Sequence, residues 1–446
     1  MKKILLVLLC LVATVSQGQI EGYWKGKLNA GFQQLEVGFD IKSDGMGWAS
    51  TFDVPAQGGF DIPVEETTFE EGHLRLKMSS FGATYEGALE GDSIKGDFTQ
   101  MGMSFALNLA RGEKETKKGR PQDPKAPFGY RIEEVSFNNV RDNITLAGTL
   151  TMPEGEGPFP ALVLVSGSGQ QNRDEELMNH RPFWVIADYL TRHGIAVLRY
   201  DDRGVGGSGG DAENATTLDF SYDAEAAFDY LLSLPKVNPS RIGILGHSEG
   251  GLINFMVAAR RPEVGFLISL AGPSVCGKDV LMEQEKAFNR ASGLPEEAVD
   301  MSAQMNKQLY DVVLASDNAE AAADSLRKVL PGMGMNDALI DQIVNPISTP
   351  WMYYFLKYDP TDAIVKVSCP ALLLNGSKDV QVLVNQNFDG YNKIIQEYGK
   401  TNLTLVEMPG LNHLFQHCET GLPQEYANIE ETISPEVLQK MVDFIK

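Results

Sequence analysis

Cysteine is scarce in this chain, with four in 446 residues. Three of them, Cys276, Cys369 and Cys418, are widely separated, and the fourth lies near the N-terminus. An odd number of distant cysteines does not make a disulfide framework, so free buried thiols are predicted. No Cys-x-x-Cys pattern occurs either, and the sequence indicates no metal and no cofactor.

Basic residues and long apolar runs are also scarce. The chain has 38 Lys and Arg against 60 Asp and Glu, which gives a net charge of −22 at pH 7. Such a surface repels phosphate backbones and anionic lipid, so neither nucleic acid nor a membrane surface is expected as a partner. No segment approaches about twenty uninterrupted apolar residues, and no transmembrane helix is predicted.

The N-terminal residues 1–18 have the pattern of a secretory signal peptide. Two lysines precede the almost uniformly apolar residues 4–15, and the small residues Ser16 and Gly18 occupy the −3 and −1 positions of a cleavage site. The apolar run is too short to span a membrane. We expect cleavage after Gly18 and an exported mature chain, periplasmic or extracellular, whose net charge is −24 without the two lysines.

Residues 19–112 place apolar side chains at every second position, with glycine-containing turns between the stretches. The candidate strands are residues 22–28, 35–41, 74–78, 84–89 and 105–109. This pattern predicts a separate all-β domain, either a sandwich or a small barrel. We expect a spacer or dimerisation module, followed by a polar linker at residues 113–127.

Residues 128–446 alternate apolar strands with helix-like segments, after a pair of antiparallel strands at residues 132–137 and 144–150. This alternation predicts an α/β fold with a doubly wound, mostly parallel sheet, whose ligands bind beyond the carboxyl ends of the strands. Residues 273–360 form a long, helix-like, methionine-rich insertion, expected to be a cap over that site. Its Met and aromatic side chains are predicted to form either an adaptable apolar pocket or the core of the cap.

Residues 246–250, Gly-His-Ser-Glu-Gly, stand between the apolar run 241–245 and the helix-like residues 252–259. A G-x-S-x-G pattern between a strand and a helix is typical of a nucleophile elbow, which raises one serine hydroxyl above the sheet edge. Glycines on either side of Ser248 permit the close approach of strand and helix. Ser248 is therefore the candidate nucleophile, and a plain glycine-rich turn is the alternative.

An acid and a histidine follow Ser248 in the order expected of this fold. Asp379 comes just after the apolar residues 369–376, and His413 just after the apolar residues 403–408. A serine hydroxyl becomes nucleophilic when an imidazole accepts its proton, and a carboxylate fixes the tautomer of that imidazole. We predict these roles for His413 and Asp379.

Alternatives to these two residues stay open. Asp379 lies in Gly-Ser-Lys-Asp, a composition that also forms turns, and Asp359 and Asp362 compete with it from before the strand. His417, four residues beyond the candidate histidine, could exchange roles with it. His247, inside the elbow, is predicted to be structural.

The negative oxygen of an acyl-transfer intermediate needs two N–H donors. One is expected to be the amide of Glu249, directly after the nucleophile. The other is expected from the Gly- and Ser-rich residues 166–171, with Ser168 as the candidate and Gly169 as the alternative. A simple flexible loop is the competing interpretation.

Three motifs carry a family resemblance: residues 166–175, 198–208 and 246–251. Together they resemble the α/β-hydrolase superfamily, and most of all its EstD-type bacterial carboxylesterases, over the whole predicted α/β domain. The resemblance implies that the three candidate residues form a Ser-His-Asp triad. The chain differs from many relatives at Ser166, where a histidine often stands, and at Gln170, where proline is frequent, but neither change removes an N–H donor from the loop.

Taken together, the sequence predicts an exported serine carboxylesterase acting on a small-molecule ester. Ser248 would attack the carbonyl, the amides of Glu249 and Ser168 would bind the oxyanion, and no cofactor or metal would take part. Two rivals share the fold: an acyltransferase, and a serine aminopeptidase that holds the substrate amine with cap residues such as Glu283 or Glu285. A rival of another class is a non-catalytic binding protein acting through the β domain.

Overall fold

A computed structural model describes residues 20–446 apart from residues 31, 32, 44, 46, 79–81, 101, 102 and 115–118. The predicted signal peptide therefore lies outside the described residues. The chain divides into two compact units, Met1–Gly119 and Arg120–Lys446. Within the part of the chain that the structure describes, no helix is both long enough and apolar enough to cross a membrane.

The described residues of the first unit form ten antiparallel strands. These are β1 (Gly22–Ala30), β2 (Gln33–Ser43), β3 (Trp48–Val54), β4 (Gly59–Pro63), β5 (Glu66–Glu70), β6 (His73–Met78), β7 (Ala83–Glu90), β8 (Ser93–Gln100), β9 (Met103–Ala106) and β10 (Leu109–Arg111). They make one sheet in the order β4-β3-β2-β1-β10-β8-β7-β6-β5, with β9 paired to β8. The all-β prediction is confirmed, but the sandwich alternative is wrong, because these strands belong to one continuous half-barrel.

Alternation along the strands builds the core of this half-barrel. In β6, Leu74, Leu76 and Met78 are buried and the residues between them are exposed, which is the period of two that the sequence predicts. Trp24 is completely buried in the same core. The predicted strand at residues 105–109 is instead divided between two strands: β9 pairs with β8 alone, whereas β10 pairs with both β1 and β8.

The second unit contains a mixed eight-stranded sheet. Its strands are β11 (Tyr130–Asn139), β12 (Ile144–Pro153), β13 (Phe159–Val165), β14 (Ala196–Tyr200), β15 (Val237–His247), β16 (Phe266–Leu270), β17 (Ala371–Gly376) and β18 (Leu403–Met408). In the order β11-β12-β14-β13-β15-β16-β17-β18, the first two pairings are antiparallel and the other five are parallel. The predicted mostly parallel sheet is therefore present, with an antiparallel hairpin at one edge.

Helices cover both faces of this sheet and fill the long insertion. They are α1 (Pro182–Arg192), α2 (Thr217–Leu232), α3 (Glu249–Arg260), α4 (Gly277–Ala291), α5 (Glu296–Ala315), α6 (Ala319–Val329), α7 (Asp337–Ile347), α8 (Pro350–Lys357), α9 (Thr361–Lys366), α10 (Val384–Tyr398) and α11 (Pro435–Ile445). Along β13, Val163 packs into a core that includes residues of α2 and α3, whereas Leu164 packs into a second core with α1 and α11. Helices on both faces make the sheet doubly wound, as the sequence predicts.

Helices α4 to α8 lie between β16 and β17, in the region predicted as a cap. They have a core of their own, which includes Leu309, Val313, Leu326, Leu330, Val344 and Leu356. Met282, Met305 and Met335 pack against this core, whereas Met301 and Met333 are exposed. For the first three methionines, the cap-core alternative is therefore the correct one.

Part of the segment predicted as a linker is packed against the C-terminal region. The guanidinium of Arg120 donates to the carbonyl oxygens of Ala427 and Ile429 at 2.8 Å each. The side-chain amide of Gln122 donates to the carbonyl of Ile433 at 2.8 Å. The second compact unit accordingly begins at Arg120, whereas the sequence suggested residue 128.

The three described cysteines, Cys276, Cys369 and Cys418, are free. The prediction of free thiols is therefore confirmed, but each residue is half-buried rather than fully buried, and all three lie outside the helices and strands. Partial burial still raises the pKa of the Cys369 thiol to about 11.

His180 is fully buried and contacts the C-terminal region that also packs against Arg120 and Gln122. Its Nε2 lies 2.8 Å from the carbonyl oxygen of Tyr426 and its Nδ1 lies 3.0 Å from the hydroxyl of Thr432. Burial disfavours the imidazolium and lowers the pKa of His180 to about 4, against an ordinary value of 6.5. The folded protein therefore holds this ring neutral at pH values where the unfolded chain takes up a proton.

We expect this histidine to weaken the fold in mild acid. As the pH falls from about 6.5 to 4, the unfolded state binds a proton that the folded state does not, and the free energy of unfolding should decrease by up to about 3 kcal/mol. Unfolding measured at pH 7 and at pH 4.5 should show a smaller decrease for His180→Gln than for the wild type. The half-buried His193→Gln serves as the control, and equal decreases in all three proteins would contradict the assignment.

Candidate active site

Ser248 lies where β15 ends and α3 begins. Its backbone has φ +53° and ψ −118°, an uncommon conformation for a residue with a side chain, and its N–H donates to the Leu270 carbonyl at 2.8 Å. A Cβ on Gly246 would lie 1.8 Å from the Gly250 carbonyl oxygen, and a Cβ on Gly250 would lie 2.1 Å from that of Val165. The close approach that the sequence predicts at these glycines is present, and the turn is a sharp elbow.

The loops after β17 and β18 bring Asp379 and His413 together. His413 Nδ1 lies 2.8 Å from Asp379 Oδ2, and both side chains are buried. The other carboxylate oxygen, Oδ1, accepts the N–H groups of Gln381 at 2.8 Å and Val382 at 2.9 Å. A carboxylate held in this way orients the imidazole with its proton on Nδ1, which leaves Nε2 able to accept another.

The alternative candidates are engaged elsewhere. His417 is exposed, and its Nδ1 lies 2.8 Å from the carboxylate of Glu431. Asp362 is exposed in the first turn of α9, and Asp359 accepts the N–H of Thr361 at 2.9 Å. The described structure therefore gives a buried carboxylate partner to His413 and not to His417.

His247 connects the elbow to the loop that carries His413. Its Nε2 lies 3.0 Å from the backbone carbonyl of His413, and the two ring centroids are 4.7 Å apart. Its Nδ1 lies 2.9 Å from the carboxylate of Glu175. Burial opposes a charge on this ring, but the adjacent Glu175 carboxylate outweighs that effect, and the pKa of His247 is raised above its ordinary value.

The predicted oxyanion donors lie beside the elbow. The loop after β13 packs so closely that a Cβ on Gly167 would be 3.2 Å from Ser248 Cβ. Among the residues that the structure describes, the amides of Glu249 and Ser168 have no hydrogen-bond acceptor. The same holds for Gly169, so neither the predicted second donor nor its alternative is bonded to another group among the described residues.

Asp202 holds both ends of this loop. Its Oδ1 accepts the hydroxyl of Ser166 at 2.7 Å, and its Oδ2 accepts the N–H of Gln171 at 2.9 Å. Burial raises the pKa of Asp202 to about 7. Ser166, one of the two positions at which the chain differs from many relatives, is therefore a structural anchor of the loop.

The side chain of Glu249 connects the elbow to the cap. Its Oε1 accepts the hydroxyl of Thr217 at 2.6 Å and the indole N–H of Trp351, in α8, at 2.8 Å. Burial raises the pKa of the Glu249 carboxyl. The ring of Trp351 stacks on Phe355 with a centroid separation of 5.3 Å. The cap is thus hydrogen-bonded to the residue directly after Ser248.

A comparison with protein families identifies the relatives of this site. The model of the X-Pro dipeptidyl-peptidase (S15) family matches residues 142–411, more than half of the chain. The chain belongs to this family. The match includes the elbow and Asp379 and ends just before His413. The predicted membership of the α/β-hydrolase superfamily is confirmed.

Individual relatives of this S15 family member align with about 70% of the chain. The chain is 28% identical to Esterase EstD of Thermotoga maritima over 324 residues. The aligned residues make up 71% of this chain and 68% of that protein. It is 27% identical to Polyketide transferase ATR5 of Stachybotrys chlorohalonatus, over 70% of this chain and 96% of that protein. Among solved structures, the α/β hydrolase GrgF from Penicillium sp. is 19% identical with a TM-score of 0.45, over 71% of this chain and 98% of that chain.

The sequence did not predict a role at the site of this S15 family member for two side chains, those of Glu175 and Trp351. Glu175 is an acidic residue inside a Gly- and Ser-rich motif, and Trp351 belongs to an aromatic cluster. Those features are the only signals that the sequence offers for them. Their partners His247 and Glu249 are 72 and 102 residues away, and only the folded chain brings each pair together.

Proposed function

We propose that this hydrolase cleaves carboxylic esters of small molecules through a triad of Ser248, His413 and Asp379. The observation that carries the proposal is the 2.8 Å contact between His413 Nδ1 and Asp379 Oδ2, at the sheet edge where the elbow presents Ser248. Similarity to Esterase EstD over 71% of the chain supports an ester as the substrate. Neither a metal nor a cofactor is needed for this chemistry.

The reaction proceeds in two halves. Ser248 Oγ bonds to the ester carbonyl carbon while its proton passes to His413 Nε2, and the amides of Glu249 and Ser168 stabilise the oxygen that becomes negative. The imidazolium then gives its proton to the leaving alcohol as the C–O bond breaks, which leaves an acyl group on Ser248. A water molecule that loses a proton to His413 attacks this acyl group and releases the acid and the free serine.

Substrate binding completes the site in this proposal. Ser248 Oγ makes no hydrogen bond to any described residue, and its side chain is half-buried at the end of the sheet. In this proposal its bond to His413 Nε2 forms as the substrate binds. Catalytic hydrogen bonds commonly tighten only when the substrate is bound.

Export and the choice of partner belong to the same proposal. The pattern of residues 1–18 supports secretion to the periplasm or beyond, and the mature net charge of −24 disfavours nucleic acid and anionic membrane surfaces. A small-molecule ester that reaches the protein outside the cytoplasm fits both features. The half-barrel unit is proposed as a spacer or dimerisation module.

Two other reactions of the acyl-enzyme are favoured by particular comparisons. The description of the S15 family favours cleavage of a dipeptide from a peptide N-terminus, and the similarity to Polyketide transferase ATR5 favours transfer of the acyl group to an acceptor. The two residues that the sequence suggested for an amine substrate each have a partner within the cap, although Oε2 of Glu285 is buried without one among the described residues. Glu283 pairs with Lys286 at 2.7 Å, and Glu285 accepts a hydrogen bond from Ser302 within the cap.

A substrate panel separates these reactions. The mature chain, starting at Gln19, is assayed with p-nitrophenyl esters of increasing acyl length, with Gly-Pro-p-nitroanilide, and with an ester plus a primary alcohol as acceptor. We expect rapid hydrolysis of esters and none of the anilide. Anilide cleavage without ester cleavage would replace the esterase with the peptidase, and formation of the new ester in place of free acid would replace it with the transferase.

A further inference from the structure

Glu175 and His247 form a buried pair, joined by a short contact, that the proposed chemistry does not use. Their side chains are 6% and 8% exposed. One carboxylate oxygen of Glu175 accepts the N–H of Gly167 at 2.8 Å and also lies 2.9 Å from His247 Nδ1. The other ring nitrogen of His247 lies 3.0 Å from the backbone carbonyl of His413. The pair therefore connects the loop after β13, residues 166–171, to the proposed base His413. This loop is termed the oxyanion loop.

These partners favour a protonated ring at His247. A carbonyl oxygen only accepts hydrogen bonds, so Nε2 carries a proton toward His413. Nδ1 lies beside the carboxylate of Glu175, which favours a second proton on the ring. The titratable groups that face the ring are Glu175 after β13, Asp379 after β17 and His413 after β18, and the two carboxylates favour its charge against the effect of burial.

We propose that Glu175 and His247 are positioning residues, which tie the amide of Gly167 to the backbone of His413 and hold the oxyanion loop and the base at one fixed separation. The inference rests on the proposed function. Gly167 directly precedes the candidate donor Ser168, and His413 is the proposed base, so each end of the pair binds the backbone of a catalytic segment.

The backbone of Glu175 supports this assignment. Its φ of +50° lies in the left-handed region that residues with a Cβ seldom adopt, and such conformations persist where the surrounding contacts require them. A displacement of about 1 Å at a catalytic group costs about 10²-fold in rate. A pair that joins two catalytic segments therefore acts on the rate more than on the affinity for substrate.

The test uses conservative and truncating variants. Glu175→Gln keeps an oxygen for the Gly167 amide but removes the carboxylate beside His247 Nδ1. We expect kcat to fall about 10- to 100-fold with KM changed by less than about 3-fold. His247→Gln keeps an N–H donor for the His413 carbonyl, whereas His247→Ala keeps none. We expect the glutamine variant to retain at least about 5-fold more activity than the alanine variant.

A matched control removes a different buried ion pair of the same unit. Asp123→Asn breaks the 2.6 Å pair with Arg181, and the Asp123 side chain is 7% exposed, close to the value for Glu175. This variant should lose stability and keep its kcat. If its kcat falls as far as that of Glu175→Gln, the effect is one of stability and the positioning role is overturned.

A second readout does not depend on turnover. The hydrogen bond between His413 Nδ1 and Asp379 gives a low-field proton resonance, which we expect to shift or broaden in Glu175→Gln and His247→Gln but not in Asp123→Asn. If kcat and this resonance are unchanged in both pair variants, the inference is overturned and the proposed function stands. If the wild type hydrolyses no ester, the proposed function fails, and the resonance alone then decides whether the pair positions His413.

Discussion

Replacing Ser248 by alanine is expected to lower kcat for ester hydrolysis by about 10⁴- to 10⁶-fold. In the proposed reaction the Ser248 hydroxyl oxygen forms the bond to the acyl group. No other described hydroxyl occupies the end of the elbow. Alanine carries the same Cβ, so it meets no new contact at the φ of +53° that the native serine already adopts. The loss is therefore chemical, and the thermal midpoint of unfolding should change by no more than about 2 °C.

The measurement compares steady-state ester hydrolysis with labelling by a fluorophosphonate. The wild type should gain one adduct, and a peptide map should place it on Ser248. Ser240→Ala is the matched control, since Ser240 is an exposed serine near the other end of the same strand, β15. Hydrolysis that persists in Ser248→Ala at the wild-type rate would remove this residue, and the triad with it, from the proposal.

Replacing Asp379 by asparagine is expected to lower kcat by about 10⁴-fold with little change in KM. The Oδ1 position accepts two backbone N–H groups, from Gln381 and Val382, so the asparagine oxygen must occupy it. The amide NH₂ then faces His413 and donates to Nδ1. The ring is left with its proton on Nε2, which is the wrong tautomer for accepting the proton of Ser248.

Asp362→Asn is the control for this substitution. Asp362 competed with Asp379 in the sequence analysis but is exposed on α9, and its replacement should leave kcat unchanged. Circular dichroism and thermal unfolding establish that Asp379→Asn is folded before its rate is interpreted. Equal rates for wild type and Asp379→Asn, or a large loss in Asp362→Asn, would assign the acidic role to another residue.

The three proposed triad residues could be nominated from the sequence because each directly follows a recognisable strand. Ser248 stands between an apolar run and a helix-like segment, and Asp379 and His413 each follow an apolar run that ends in turn residues. Parallel strands end at one edge of a sheet, so local patterns were enough to predict that these side chains meet there. The structure places Asp379 beside His413 as that argument requires.

Long-range partners could not be predicted in this way. A sequence pattern reports which face of an element is apolar but not which distant side chain fills the space next to it. His247 was therefore interpreted as structural, but its partner Glu175 was not predicted. Glu249 was predicted to donate its backbone amide to the oxyanion, but the contact of its side chain with Trp351 was not predicted. In the first unit, apolar residues at every second position were enough to predict strands. The order in which these strands form one half-barrel could not be predicted, because it depends on distant pairings such as β1 with β10.

The hydrogen bond from Trp351 to Glu249 bears on how this enzyme can be re-engineered. In the proposed reaction the amide of Glu249 binds the substrate oxygen, while its carboxylate accepts the indole N–H of Trp351 in α8. A chimera whose inserted segment has no indole at the position of Trp351 leaves the buried Glu249 carboxyl without this donor, a loss of about 1–3 kcal/mol. An exchange of the segment between β16 and β17 therefore needs either to keep that tryptophan or to replace Glu249 as well.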